Sequence, residues 1–132
     1  MVFLGGTCNG SLWREQLIPM LDGLYFNPVS NWTESDYQTE LTMRETCEFC
    51  LYVITPLMTG VYSIAEVVDD SNKRPDKAIL CVLHTDTKDG EELSFSPAQT
   101  KSLAAVERMV AKNGATVFNT LADVAAYLNA MQ

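Results

Sequence analysis

The chain has 132 residues, of which 47% are hydrophobic and 20% charged, and carries a formal net charge of -8. That length suits one domain with a single core that buries about two thirds of the unfolded surface, so residues 1–132 are read as a single domain. With nine Lys and Arg and no basic cluster, the chain is not expected to bind polymeric nucleic acid, which requires neutralised phosphates; a small anion held by backbone N–H groups remains open.

Residues 2–5 form a short apolar run closed by Gly5-Gly-Thr-Cys-Asn-Gly10, the pattern of a buried strand entering a tight turn. Ser11 is an N-cap residue type, and Leu12, Trp13, Gln16, Leu17, Met20 and Leu21 follow at helical spacing, with Pro19 bending the last turn. A second strand is predicted over 24–29, a polar loop over 30–36 and a helix over 37–48. A third strand over 51–54 stops at Thr55-Pro56, and a helix is predicted over 61–70. Residues 78–83 are the most apolar run and predict a central strand buried on both faces. Residues 84–94 read as a polar excursion. Ser96-Pro97 opens a long amphipathic helix that Asn113-Gly114 closes. A strand over 115–118 and a helix over 121–131 complete the chain.

Strands alternating with helices predict βαβ units and a parallel sheet. The expectation is an α/β three-layer sandwich with five parallel strands in the flavodoxin-like order 2-1-3-4-5. Ligands of such sheets bind beyond the strand carboxyl ends, at the switch point between the first and third strands. Residues 5–11, 27–32 and 55–66 converge there.

No apolar stretch approaches the roughly 20 residues of a membrane span, and the N-terminal apolar run lacks the basic flank of a signal peptide, so a soluble protein without a membrane partner is expected. Cys47 and Cys50 have CxxC spacing, but a structural zinc takes about four Cys or His ligands and His84 is the only imidazole. The four cysteines read as free thiols of a cytoplasmic protein, with no metal and no cofactor.

At the first turn, Gly5, Gly6, Thr7, Cys8 and Asn9 allow close backbone approach to a ligand, although the glycines also suit tight packing. Ser11 and Arg14 add polar groups to the same rim, Arg14 being either an anion ligand or a solvated helix position. Asn27 before Pro28 offers a donor and an acceptor, or simply opens a turn. Trp32 either stacks on a base or anchors its loop. In Met58-Thr-Gly-Val-Tyr-Ser-Ile-Ala-Glu66, helical spacing places Tyr62, Ser63 and Glu66 near one another just after Gly60. Glu66 is then either a carboxylate fixed for chemistry or a solvent-facing helix residue. Asp69 and Asp70 are a possible second acid, though acids at such positions are commonly solvated.

The segments Val2-Phe-Leu-Gly-Gly-Thr-Cys-Asn-Gly-Ser-Leu-Trp-Arg14, Phe26-Asn-Pro-Val29 with Trp32, Leu51-Tyr-Val-Ile-Thr-Pro56 and Gly60-Val-Tyr-Ser-Ile-Ala-Glu-Val67 together resemble the nucleoside 2-deoxyribosyltransferase-like proteins. The resemblance covers most of the chain. It implies a flavodoxin-like fold, a nucleoside or nucleotide ligand, a homo-oligomer whose subunits complete each other's sites, and Glu66 as the nucleophile that attacks the anomeric carbon, with Tyr62 orienting it. A covalent glycosyl-enzyme would then pass to an acceptor base or to water. One departure stands out: residues 55–60 carry no acid where better-characterised members have an aspartate. Glu45 and Glu48, before the third strand, are candidates to take its place. The alternative is a non-catalytic nucleotide-binding or ligand-sequestering module, and a further one is cleavage of a nicotinamide glycosidic bond.

Overall fold

A computed structural model describes residues 1–28 and 33–131. Five parallel strands form one sheet in the order β2-β1-β3-β4-β7, with β1 at Val2–Gly6, β2 at Tyr25–Phe26, β3 at Phe49–Ile54, β4 at Ala78–Val82 and β7 at Thr116–Phe118. This is the flavodoxin-like order that the strand pattern predicts. A separate antiparallel ribbon, β5 (Thr85–Lys88) with β6 (Glu91–Ser94), sits between β4 and the next helix. The helices are α1 (Trp13–Leu17, continued by a 3-10 turn at Ile18–Met20), α2 (Glu34–Thr46), α3 (Tyr62–Lys73), α4 (Pro97–Asn113) and α5 (Leu121–Ala130). No helix among the described residues is long and apolar enough to cross a membrane.

Alternation of side chains along β1, β3 and β4 divides the core between the two faces of the sheet. Phe3, Tyr52, Ile54 and Leu80 pack with Val67 of α3 and with Leu103 and Val110 of α4. On the other face Leu4, Leu51, Val53 and Ile79 pack with Trp13 and Leu17 of α1 and with Val124 and Leu128 of α5. Every residue of β4 is buried, which is why its sequence runs apolar instead of alternating. Full burial of each large apolar side chain contributes about 1.5–3 kcal/mol.

The helix signals in the sequence differ in how they are used. Ser96 and Gln99 form a reciprocal capping box at α4, Pro97 stands at its first turn, and Gly114 ends it with φ 108°. At α1 the expected cap is absent: Leu12 is the N-cap residue, and the Ser11 hydroxyl donates instead to Asp86 Oδ2 of β5 at 2.6 Å. Thr33 starts α2 three residues earlier than expected, its Oγ1 accepting from Asp36 N–H. Of the second strand expected over 24–29, Tyr25–Phe26 is the part that forms among the described residues, and Val29 lies outside them. The segment read as a polar excursion contains the β5–β6 hairpin, turned by Asp89 (φ 52°) and Gly90 (φ 78°). Asp-Gly with both φ values positive marks a type I′ turn, but the flanking strands lack the apolar alternation that announces a hairpin.

Gly6 sets how closely β1 and β3 approach. It has φ 125°, and a Cβ there would lie 2.1 Å from the Val53 carbonyl oxygen. Gly6→Ala is therefore expected to destabilise the fold by about 3 kcal/mol or more in urea unfolding. Gly60→Ala, where a Cβ meets nothing within 4 Å, should stay within about 0.5 kcal/mol of the parent.

Candidate functional site at the switch point

The chain crosses from one side of the sheet to the other at β1 and β3, and the two loops leaving their carboxyl ends face each other there. Thr7 N–H donates to Val53 O (2.8 Å), and Thr55 N–H donates to Thr7 Oγ1 (2.9 Å). Asn9, held at φ 55°, donates through Nδ2 to Leu57 O (3.1 Å) and Thr59 Oγ1 (2.9 Å). A cavity of about 290 Å³ lies between the loops. Gly6, Thr7, Cys8 and Asn9 line it from the β1 side, and Met58, Gly60, Tyr62 and Ser63 from the β3 side.

Other residues singled out in the sequence lie elsewhere. Gly5 serves packing, since a Cβ there would meet the Tyr52 ring at 2.7 Å. Arg14 turns toward the backbone: Nη2 donates to Leu4 O (3.0 Å), Nη1 to Thr7 O (3.0 Å), and the guanidinium lies 4.3 Å from the Trp13 ring centroid. Trp13 Nε1 donates to the same Thr7 carbonyl (2.8 Å). Arg14 thus fixes the end of β1 from behind, and burial lowers its pKa against the opposing pull of Cys8 and Glu15. Ser11 is engaged with Asp86. Asn27 and Pro28 follow β2 and are not among the described cavity residues. Trp32 lies outside the described residues.

Glu66 sits one helical turn beyond Tyr62, buried and away from the described cavity wall. It faces a charge cluster centred on Arg44 of α2, itself buried. Arg44 donates to both oxygens of the fully buried Asp70 (Nη2 to Oδ1 2.9 Å, Nε to Oδ2 3.3 Å), pairs with Asp69 Oδ2 at 3.0 Å, and brings Nη1 to 3.7 Å from Glu66 Oε2. Asp70 also accepts from the Tyr52 hydroxyl and from Arg74 Nη2 (2.6 Å). Asp69 adds Lys73 at 3.1 Å. Asp69 and Asp70 are therefore engaged by cations, and Asp70 is sealed from solvent.

Burial pushes the Glu66 carboxyl up from 4.5 to about 7; Arg44 pulls it down, while Glu40, Asp70 and Asp69 add to the rise. The nearby guanidinium does not win because its donors are shared with two other carboxylates. Tyr62 is raised by desolvation first and then by Glu66 and by Tyr37, with which it shares a hydrogen bond.

Arg44 was invisible as a site residue in the sequence. Its one local signal is the helical spacing Tyr37, Glu40, Arg44, Cys47, a face of mixed polarity that reads as surface. Cys47 and Cys50 are buried free thiols, the second donating to Arg44 O and pushed by burial to about 12. Among the described residues no group of three or more His, Cys, Asp or Glu is placed to hold a metal. The chain matches no protein-family model, no curated protein and no solved structure.

Two outcomes are expected. A folded-state pKa above the unfolded one stabilises fully at pH below about 4.5, and that stabilisation is lost as pH rises through about 7. Glu66→Gln should remove that slope of about 3 kcal/mol, making the variant more stable than the parent at pH 8 and leaving them closer at pH 4.5, read by urea unfolding at both. Arg44→Met leaves Asp70 short of its main cation and should cost about 3–5 kcal/mol in the same assay.

Proposed function

We propose that the chain is a nucleoside 2-deoxyribosyltransferase-like enzyme that cleaves or exchanges the N-glycosidic bond of a (deoxy)nucleoside or nucleotide. The observation that carries this reading is the placement of a buried carboxyl with a pKa near 7 on the helix whose first turn walls the switch-point cavity. Perturbed carboxyls beside such crevices are the groups enzymes use for covalent and acid–base chemistry.

In the proposed reaction, ionised Glu66 attacks C1′ of the sugar. The C1′–N bond breaks, its electron pair leaves with the base, and the base takes a proton from solvent. An acceptor base nitrogen or water then attacks C1′ of the glycosyl ester; the C1′–O bond breaks with its electron pair returning to the carboxylate, and the attacking group loses its proton to solvent. Tyr62 is common to both parts of the site, lining the cavity and sensing the Glu66 charge. Arg44, held by Asp69 and Asp70, keeps a positive charge beside the carboxylate through the cycle.

A second reading, a nucleotide-binding module without turnover, has its own supporting observation: the Glu66 carboxylate faces Arg44 and is not among the described cavity residues. Incubation with 2′-deoxynucleosides, with and without a second base, separates the readings by chromatography. Free base marks a hydrolase, exchanged nucleoside a transferase, and saturable binding with neither marks a binder.

Glu66→Ala should lower turnover by at least about 10³-fold with ligand binding intact; unchanged turnover would sink the nucleophile assignment. Because the nucleophile must be ionised, kcat/KM should climb tenfold per pH unit up to about 7 and then level. A limb falling through the same pH would mark Glu66 as a general acid instead.

A further inference from the structure

Helices α2 and α3 meet along a line of polar side chains and run in step. Seven residues separate Tyr37 from Arg44 on α2, and seven or eight separate Tyr62 from Asp69 and Asp70 on α3. At one end Tyr37 shares a hydrogen bond with Tyr62. At the other, Arg44 pairs with Asp69 at 3.0 Å and with Asp70 at 2.9 Å. With a rise of about 1.5 Å per residue in both helices, what lies midway on one faces what lies midway on the other. On α2 that residue is Glu40, three past Tyr37 and four before Arg44; on α3 it is Glu66, four past Tyr62 and three before Asp69. Spacings of three and four keep each set on one helix face, so the two carboxyls are brought opposite each other.

We infer that Glu40 is a positioning residue for the proposed reaction, its carboxylate standing across from Glu66 and deciding when that group is free to attack. The inference rests on the nucleophile reading of Glu66 and adds what sets its readiness. Glu40 is half-buried and Glu66 buried, so Glu40 keeps more water and ionises first. Once charged, it opposes the appearance of a second negative charge nearby. Burial is the largest cause of the raised Glu66 carboxyl, and Glu40 is the foremost of the acids that add to it against the pull of Arg44. Glu40 itself is raised by burial and then by Asp36, again against Arg44.

The other charged and titratable groups around Glu66, among the described residues, leave this role to Glu40. From α2 come Arg44 and, behind Tyr62, Tyr37; from its own helix come Tyr62, Asp69 and Asp70. From β3, Tyr52 and Cys50 reach it through Asp70. Asp69 is held by Arg44 and Lys73, and Asp70 by Arg44 and Arg74, each at 3.1 Å or less. Their charges are largely cancelled. Arg44 comes only to 3.7 Å from Glu66 and forms no ion pair with Glu40, so Glu40 is the acid that acts on Glu66 with its charge least compensated.

The test uses the full chain, isotope-labelled at its glutamate carboxyls, with the Glu66 NMR signal assigned by its loss in Glu66→Gln. Glu40→Gln should lower the titration midpoint of Glu66 and the rising limb of kcat/KM on 2′-deoxynucleosides together, by about one pH unit. At about pH 5.5 its kcat/KM should then exceed the parent's about tenfold, a gain that damage to the fold does not produce. Glu40→Asp keeps the charge and should keep the parental limb. Glu34→Gln, which removes a charge from an exposed position on the same helix, should keep it too. A Glu66 midpoint unmoved in Glu40→Gln overturns the inference and leaves the nucleophile reading standing. An equal shift in Glu34→Gln overturns it by marking net charge as the cause, and an equal shift in Glu40→Asp by marking shape. A midpoint that moves while the kinetic limb stays overturns the nucleophile reading, and the part of Glu40 in the reaction falls with it. If the parent turns over no 2′-deoxynucleoside, both fall together.

Discussion

The pair formed by Arg44 and Asp70 is the constraint on which the candidate site depends. Taking a guanidinium and a carboxylate out of water costs several kcal/mol per ion, and only complete hydrogen bonding offsets it. Here Asp70 takes two bonds from Arg44, one from Tyr52 and one from Arg74, and Arg44 spends its remaining donors on Asp69 and toward Glu66. The cluster joins α2, β3 and α3 through polar atoms where Cys47, Cys50 and Val67 would otherwise join them through packing alone. Glu66 stands last in this sequence of contacts, which is why it inherits the burial of the cluster but little of its positive charge.

The fold was largely legible because its signals are local or periodic. The uninterrupted apolar run in β4 follows from burial on both faces, and the start and end of α4 are written in Ser96, Pro97, Gln99 and Gly114. The β5–β6 ribbon was missed for the converse reason. Its strands face solvent, so Thr85, Asp86, Thr87 and Lys88 carry no apolar period, and the Asp89-Gly90 turn was the sole clue. The same burial rule that exposes a core strand hides a solvated one.

The site was legible where topology alone decides it. The switch-point rule brings residues 6–9, 58–60 and 62–64 to one cavity without any knowledge of side-chain contacts. It does not say which way a side chain turns. Arg14, with a charge suited to anions, is drawn back to the Leu4 and Thr7 carbonyls because the carboxyl end of β1 leaves those acceptors available beside it. Arg44 meets Asp70 across 26 residues, and such pairing depends on how two helices cross the sheet, which no spacing within either helix encodes. Glu66 was correctly expected near Tyr62, but its exposure was the open question, and burial against Arg44 answers it.

The Asp86 carboxylate gives the hairpin a role in the behaviour of the cavity. One of its oxygens accepts from Ser11 at the end of the cavity turn, and the other from the Thr87 N–H inside the ribbon itself. A two-stranded ribbon is marginally stable by itself, so this carboxylate is both the ribbon's internal brace and its tether. The hairpin is thereby tied through one carboxylate to the end of the turn that lines the cavity, so that the same group closes a contact within the ribbon and a contact between the ribbon and the sheet.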